Sequence, residues 1–290
     1  MHPSILTVES LTKYYGHTQA LQEVSLEVPQ GSIFGVLGPN GSGKTTLLGI
    51  VLDILRATRG TFRWQSGLKR GALLETPNFY PYLTGRENLN IVAELRGRGH
   101  GRVGEALKVV GLDSYETMPF AKYSLGMKQR LAIGATLIGH PEVVVLDEPT
   151  NGLDPAGIAD VRQLIRGLRD EGKSVILASH MLDEVEKVCT HVAILKKGKV
   201  LSQGPLEDVL RDEDRLEVKS EDLEGLQALL QRHPLNPKVQ RGEGFLAVAF
   251  EAGAIKPADL NRYCLEGGQT LGHLVLRKKT LESRFLELTD

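Results

Sequence analysis

At 290 residues the chain has room for one large domain and a small one, and 41% hydrophobic against 24% charged residues is the balance of an ordinary globular protein. A formal net charge of −1 gives no basis for broad electrostatic binding to nucleic acid or to an anionic membrane. No apolar run reaches the roughly 18 residues a membrane span requires, and residues 1–4 carry no signal segment, so the chain is expected in the cytoplasm with any membrane role supplied by a partner.

In chain order, residues 6–11 and 24–28 alternate apolar and polar at strand period. Between them Lys13-Tyr14-Tyr15-Gly16 sets an aromatic pair before a turn glycine. Residues 32–37 form a short apolar run that predicts a buried strand, and residues 46–52 open a helix. Between strand and helix lies Gly38-Pro39-Asn40-Gly41-Ser42-Gly43-Lys44-Thr45-Thr46, which fits G-x-x-x-x-G-K-[ST] in the context that motif needs. Its glycines let successive backbone N–H groups turn inward around a phosphate, and the helix N-terminus adds partial positive charge. Lys44 is the group to reach the β- and γ-phosphates, and the Thr45 hydroxyl the group to ligate Mg²⁺. The chain therefore binds a nucleoside triphosphate. In that light Tyr15 has two readings, stacking on a purine base or packing at a strand end.

Residues 60–64 predict an edge strand and residues 71–74 a short buried one, followed by Glu75-Thr76-Pro77-Asn78-Phe79-Tyr80-Pro81-Tyr82-Leu83. Helical patterns cover residues 86–95 and 103–110. The loop between them, Arg96-Gly97-Arg98-Gly99-His100-Gly101-Arg102, reads as a solvated basic turn or as a contact for an acidic partner. Tyr123-Ser124-Leu125-Gly126-Met127 opens another helix with Ser124 as its N-cap. Val143-Val144-Val145-Leu146-Asp147-Glu148 then predicts a strand buried on both faces of a parallel sheet, with two carboxylates at the carboxyl end, where open α/β sheets bind ligands. Asn151-Gly152-Leu153-Asp154-Pro155 is a turn, residues 156–170 a helix, and residues 174–179 a buried strand that delivers His180 to the same rim. Residues 192–201 form a hairpin around Lys197-Gly198. Cys189 and Cys264 sit at no metal-ligand spacing and read as small buried hydrophobes. From residue 214 the order strand, helix, strand, strand, helix, strand and a last helix predicts a split βαβ, or ferredoxin-like, arrangement suited to regulation or dimer contact.

Taken together, these motifs resemble the ATPase subunit of ABC transporters over residues 4–211. Gly38 to Thr45 matches Walker A, Val143 to Glu148 matches Walker B, and Tyr123 to Met127 aligns with the LSGGQ signature. Asn151 to Asp154 matches the D-loop, His180 the switch histidine, and Tyr15 the aromatic that stacks on adenine. The signature keeps its serine and following glycine but loses its first glycine and terminal glutamine. Glu75 stands where the family usually has the Q-loop glutamine. Those departures, with Phe79-Tyr80-Pro81, look like the branch of bacitracin- and lantibiotic-resistance exporters.

The resemblance implies an α/β fold of the P-loop NTPase, ABC ATPase type. It would have a mixed sheet core, an antiparallel β subdomain, a helical subdomain at about 77–139, a domain boundary at 213/214 and a small ferredoxin-like domain after it. It further implies two subunits facing head to tail around two ATP, most simply as a homodimer, coupled to a separate membrane permease. Ser124 and Gly126 would contact the γ-phosphate of the partner's ATP, with Asp154 at the same interface. Asp147 and Thr45, with Glu75, would hold Mg²⁺; Glu148 would orient or deprotonate the attacking water; His180 would sense the γ-phosphate. Phe79, Tyr80 and Tyr82 either form the cleft for a permease's coupling helix or pack inside the helical subdomain. The competing reading is a soluble ABC-type ATPase acting on ribosomes, DNA or protein assembly. Against it stand the single phosphate loop and the absence of sustained heptads between the Walker motifs.

Overall fold

The computed structural model describes residues 3–74, 79–97, 102–210, 213–251, 253–277 and 280–289. These residues divide into two compact units, Met1–Leu206 and Glu207–Asp290, a break ahead of the 213/214 boundary that the change of pattern suggests.

The first unit begins with β1 (Ser4–Tyr15) and β2 (Thr18–Pro29), joined by a turn at Gly16, where φ is +57°. Both strands run well beyond the stretches whose alternation is legible. The cause is irregular pairing: the register shifts between Val8 and Leu11, and Ser10 and Glu23 take positive φ. Such bulges interrupt the period of two while letting the ribbon bend. β3 (Ile33–Leu37) is buried along its whole length and leads through the glycine loop into α1 (Lys44–Val51). β4 (Arg59–Trp64) pairs with the free side of β1, completing an antiparallel sheet in the order β2-β1-β4. One core cluster spans Ile5, Val8 and Leu26 of that sheet, Phe34 and Val36 of β3, and Leu47, Leu48 and Ile50 of α1.

β5 (Arg70–Leu73) starts the edge of a second sheet, and the chain then leaves it for a helical insertion. α2 (Gly85–Leu95) starts at a capping box: Thr84 accepts from the Glu87 N–H, and Glu87 accepts from the Thr84 N–H at 2.7 Å. α3 (Val103–Val109) and α4 (Leu125–Leu137) follow, α4 packing on β5 and on β6 (Val143–Asp147). Arg96 donates to the Ile138 carbonyl at 2.8 Å and to the Thr136 carbonyl at 3.3 Å, so this member of the basic loop serves the C-terminal end of α4. Residues 98–101 of that loop lie outside the described residues.

α5 (Pro155–Asp170), β7 (Ser174–Ser179), α6 (Leu182–Val188), β8 (His191–Lys196) and β9 (Lys199–Pro205) complete the unit, and α7 (Leu206–Leu210) begins at its last residue and runs into the second. The six-stranded sheet runs β5-β6-β7-β3-β8-β9, parallel except for the final hairpin. Helix α6 has no counterpart in the sequence reading: its seven residues bury only Val185 and offer no apolar stripe to detect. Cys189, just beyond it, is buried against Gly35, and burial pushes its thiol far up.

The second unit carries β10 (Glu213–Lys219), α8 (Leu223–Leu230), β11 (Lys238–Arg241), β12 (Leu246–Glu251), α9 (Pro257–Glu266), β13 (His273–Arg277) and α10 (Leu281–Thr289). Its sheet order, β11-β12-β10-β13 with every pair antiparallel, is that of the split βαβ arrangement. Leu216, Val218, Leu226, Leu230, Val248, Phe250, Leu260 and Cys264 make its core. Burial raises the Cys264 thiol to about 11, which keeps it a protonated hydrophobe.

Gly71 in β5 lies close beneath the backbone of α4. A methyl there would lie 2.2 Å from the Thr136 carbonyl oxygen, a backbone atom that cannot step aside alone. Gly71→Ala is expected to lower stability to urea by about 1–3 kcal/mol, the usual cost of overpacking, with the loss read in the unfolding of Met1–Leu206.

Candidate nucleotide site

The site lies where β6, β7 and β3, neighbours in the sheet, reach their carboxyl ends. Gly38 N–H donates to the Ser179 carbonyl at 3.4 Å, anchoring the start of the loop to the end of β7. Gly43 caps α1 in the left-handed region at φ +106°, and a methyl on it would lie 2.7 Å from the Ala20 carbonyl and 2.8 Å from Leu21 Cδ2. Only glycine fits there. The turn between β8 and β9, Lys197-Gly198, braces the loop from outside: Gly198 N–H donates to the Ser42 carbonyl at 3.0 Å, and Gln22 N–H to the Gly198 carbonyl at 2.7 Å. The hairpin was legible in the sequence, but its bracing role was not, because nothing local says which loop a turn touches.

Lys44 is 5% exposed and folds back into the loop. Its ammonium donates to the Gly38 carbonyl at 2.9 Å and the Pro39 carbonyl at 3.3 Å, and pairs with Glu148 Oε1 at 3.3 Å. The other oxygen of Glu148 lies 2.9 Å from His180 Nδ1 and accepts weakly from the His180 N–H at 3.4 Å. One carboxylate thus joins the phosphate-loop lysine to the histidine at the end of β7. Glu148 itself takes φ +48°, sparsely populated for a side-chain-bearing residue, with its N–H bonded to the Ala178 carbonyl at 3.0 Å. Asp147, the last residue of β6, is 9% exposed, whereas Thr45 at the start of α1 is exposed.

The remaining candidates fall elsewhere. Tyr15 ends β1 with 47% exposure and carries the Lys13 ammonium 4.9 Å from its ring centroid, so it is not a core residue. Ser124 caps α4, its Oγ accepting from Met127 N–H at 3.2 Å. Asp154 caps α5, accepting from Gly157 N–H at 2.9 Å. A methyl built on Gly126 would lie 3.8 Å from the Gly157 Cα, so the first turns of α4 and α5 meet closely. Glu75 lies outside the described residues. Phe79 packs edge-on to Phe120 at 5.2 Å between centroids, while Tyr80 and Tyr82 stay 48% and 74% exposed.

A glycine loop between a buried parallel strand and a helix, with its lysine facing a carboxylate from the end of a strand two places along the sheet, defines a P-loop nucleotide-hydrolase site. A family model described as ABC transporter matches residues 21–151. The bacitracin transport ATP-binding protein of Bacillus licheniformis is 34% identical over 98% of this chain and 97% of its own. The lantibiotic transport ATP-binding protein of Streptococcus pyogenes is 34% identical over 68% of this chain and 89% of its own. Among solved structures, CbiO1 of Clostridium perfringens, part of an ABC transporter complex, aligns with a TM-score of 0.64 at 29% identity, covering 71% of this chain and 90% of that one. A dimeric ATP-binding cassette in a post-hydrolysis state with ADP and Pi aligns at 0.61 and 26%, covering 69% and 98%. The chain belongs to the ABC transporter family, as an ATP-binding subunit with ATPase activity.

Because Gly43 has no room for a side chain, Gly43→Ala is expected to weaken binding of a fluorescent ATP analogue by about tenfold or more, some 1.4 kcal/mol, with the circular dichroism spectrum retained. Asp154→Ala removes a helix cap and is expected to cost about 1 kcal/mol of stability, measured in urea.

Proposed function

We propose that this chain is the ATP-hydrolysing motor of an exporter, closing as a homodimer around two Mg-ATP to drive a separate membrane permease. The observation that carries the reading is the convergence of Lys44, Glu148 and His180 from three adjacent strand ends. In this state the ammonium of Lys44 is satisfied by two loop carbonyls and Glu148. An entering triphosphate offers it stronger anionic partners, so Lys44 turns to the β- and γ-phosphates and Glu148 is released to orient or deprotonate the attacking water. His180, already within hydrogen-bond distance of Glu148, then reaches the γ-phosphate and registers its presence or loss. The loop from Gly38 to Thr46 supplies N–H groups and the dipole of α1.

Thr45 and Asp147 offer a hydroxyl and a carboxylate, oxygen donors that suit Mg²⁺ when phosphates supply further ligands. Glu75 is the third donor proposed, on sequence grounds. The metal would neutralise charge building on the phosphoryl oxygens. Tyr15, exposed at the end of β1, is the adenine platform. Gly126 lies against the first turn of α5, two residues after the Ser124 cap, and a head-to-tail partner would present its own ATP to this pair, with Asp154 at the same interface. One chain carries both half-sites, which favours two identical copies.

Among the described residues no helix is long and apolar enough to cross a membrane. In the proposed assembly the permease supplies the membrane path, and this subunit works at the cytoplasmic membrane face. A cleft of about 330 Å³ lined by Phe79, Tyr80, Ile91, Val92, Leu95 and Ala132 suits that permease's coupling helix, and exposed aromatics favour such contacts. The relatives named for bacitracin and lantibiotic transport support export of a peptide-like cargo.

The test uses Glu148→Gln, which keeps the shape of the side chain and removes the base. With Mg-ATP the variant is expected to hydrolyse at least about a hundredfold more slowly, the contribution of one general base, and to co-purify with a polytopic membrane protein from solubilised membranes of its own organism. Recovery solely with ribosomes, DNA or other soluble clients would replace the exporter reading with a soluble ABC-type ATPase.

A further inference from the structure

We propose that Lys13 is a positioning residue for the base of the nucleotide: its ammonium holds the Tyr15 ring from one face and ties it to the segment that follows α1. The inference rests on the reading of Tyr15 as the adenine platform and names what keeps that platform in place.

Tyr15 is the last residue of β1, opposite Thr18 and beside the turn at Gly16, and its ring is half exposed. An exposed ring at a strand end keeps its rotamer freedom unless something holds it, and freezing it only when a base arrives costs affinity. Lys13, two residues earlier on the same strand, sets its ammonium over that ring, 4.9 Å from the centroid. This is inside the roughly 6 Å over which an aromatic face attracts a cation. The ammonium is anchored in turn, donating to the Arg56 carbonyl at 2.8 Å.

Arg56 belongs to the connection from α1 to β4, and that connection is fastened on both sides. Toward α1, the Ile54 and Leu55 N–H groups both donate to the Gly49 carbonyl at 2.9 Å. Toward β1, Thr58 N–H donates to the Thr12 carbonyl at 2.8 Å, and the Thr58 hydroxyl accepts from Tyr14 N–H at 3.1 Å. These bonds join the backbone at the end of β1 to the C-terminal end of α1, and Lys13 extends the join to the ring. Helix α1 begins at Lys44, the group for the β- and γ-phosphates. Base platform and phosphate cradle are therefore parts of one frame, with their spacing set before the nucleotide enters. The ammonium occupies one face of the ring and leaves the other for the base, which meets a platform already ordered.

The test is calorimetric titration of the full chain with Mg-ATP and with Mg-tripolyphosphate, which has no base. Tyr15→Ala is expected to weaken Mg-ATP binding by about tenfold or more, the worth of one stacked base, and to leave tripolyphosphate affinity as it was. Lys13→Met keeps an unbranched stem and removes the charge. It is expected to weaken Mg-ATP binding about three- to fivefold, the share of a cation–π contact, with tripolyphosphate affinity and melting temperature held. Lys13→Arg, which keeps a cation for the ring and a donor for the Arg56 carbonyl, is expected to restore the ATP affinity. In the Tyr15→Ala background Lys13→Met is expected to cost nothing further, since no ring is left to hold. The same loss in that background would overturn the inference, as would an equal loss of ATP and tripolyphosphate affinity, which would make Lys13 a phosphate contact. Unchanged ATP affinity in Lys13→Met, beside a loss in Tyr15→Ala, would overturn it and leave the platform standing. Unchanged ATP affinity in Tyr15→Ala would overturn the platform reading and the inference together.

Discussion

The architecture turns on one buried cation. Lys44 is almost wholly removed from water, and a buried ammonium must be met by oxygens or lose its charge. The Gly38 and Pro39 carbonyls can serve only if the loop curls back on itself, which requires left-handed backbone at Gly41 and Gly43. The third oxygen comes from Glu148, so β6 must end beside the loop, and β7 must lie between β6 and β3. His180, at the end of β7, is thereby brought to the free oxygen of the same carboxylate. The parallel sheet is what places a lysine, a glutamate and a histidine from distant parts of the chain on one rim.

The same arrangement explains why the site is well suited to receiving a phosphate. The loop's N–H groups, the α1 dipole and Lys44 make a positive cradle, and the negative group that answers it is the carboxylate proposed to do the hydrolysis. In the proposed mechanism, nucleotide entry and release of the base are one exchange of partners. The first turns of α4 and α5 form the second element of the proposed mechanism. They meet where small residues, Gly126 and Gly157, allow close approach, and where Asp154 pins the cap of α5. That junction carries the signature serine on one side and the turn from Glu148 on the other.

Much of this was readable before any fold was in view. The glycine loop announces itself because its chemistry is local: nine consecutive residues provide the turn, the charge and the hydroxyl. The run of four aliphatics ending in Asp147 and Glu148 likewise states both burial and position, since it suits a strand covered on both faces. The cap at Ser124 follows from residue type and spacing. Other features were hidden for definable reasons. Bulges at Ser10 and Glu23 break the alternation that reveals a strand. The two readings of Phe79, Tyr80 and Tyr82 divide by residue, since Phe79 finds Phe120 whereas Tyr82 finds solvent, and aromatic side chains in sequence do not show which way they face.

The sequence by itself determined the class of chemistry, because a phosphate is gripped by backbone within a single strand-loop-helix segment. It also determined the order of the strands and of the longer helices, through apolar period and turn residues, while the short helices α6 and α7 left no such pattern. Only the tertiary structure decided that Glu148 bridges Lys44 and His180 and that Lys197-Gly198 buttresses the loop. Each of these joins segments far apart in the chain. Such contacts depend on strand order and helix packing, which no local pattern of side chains encodes.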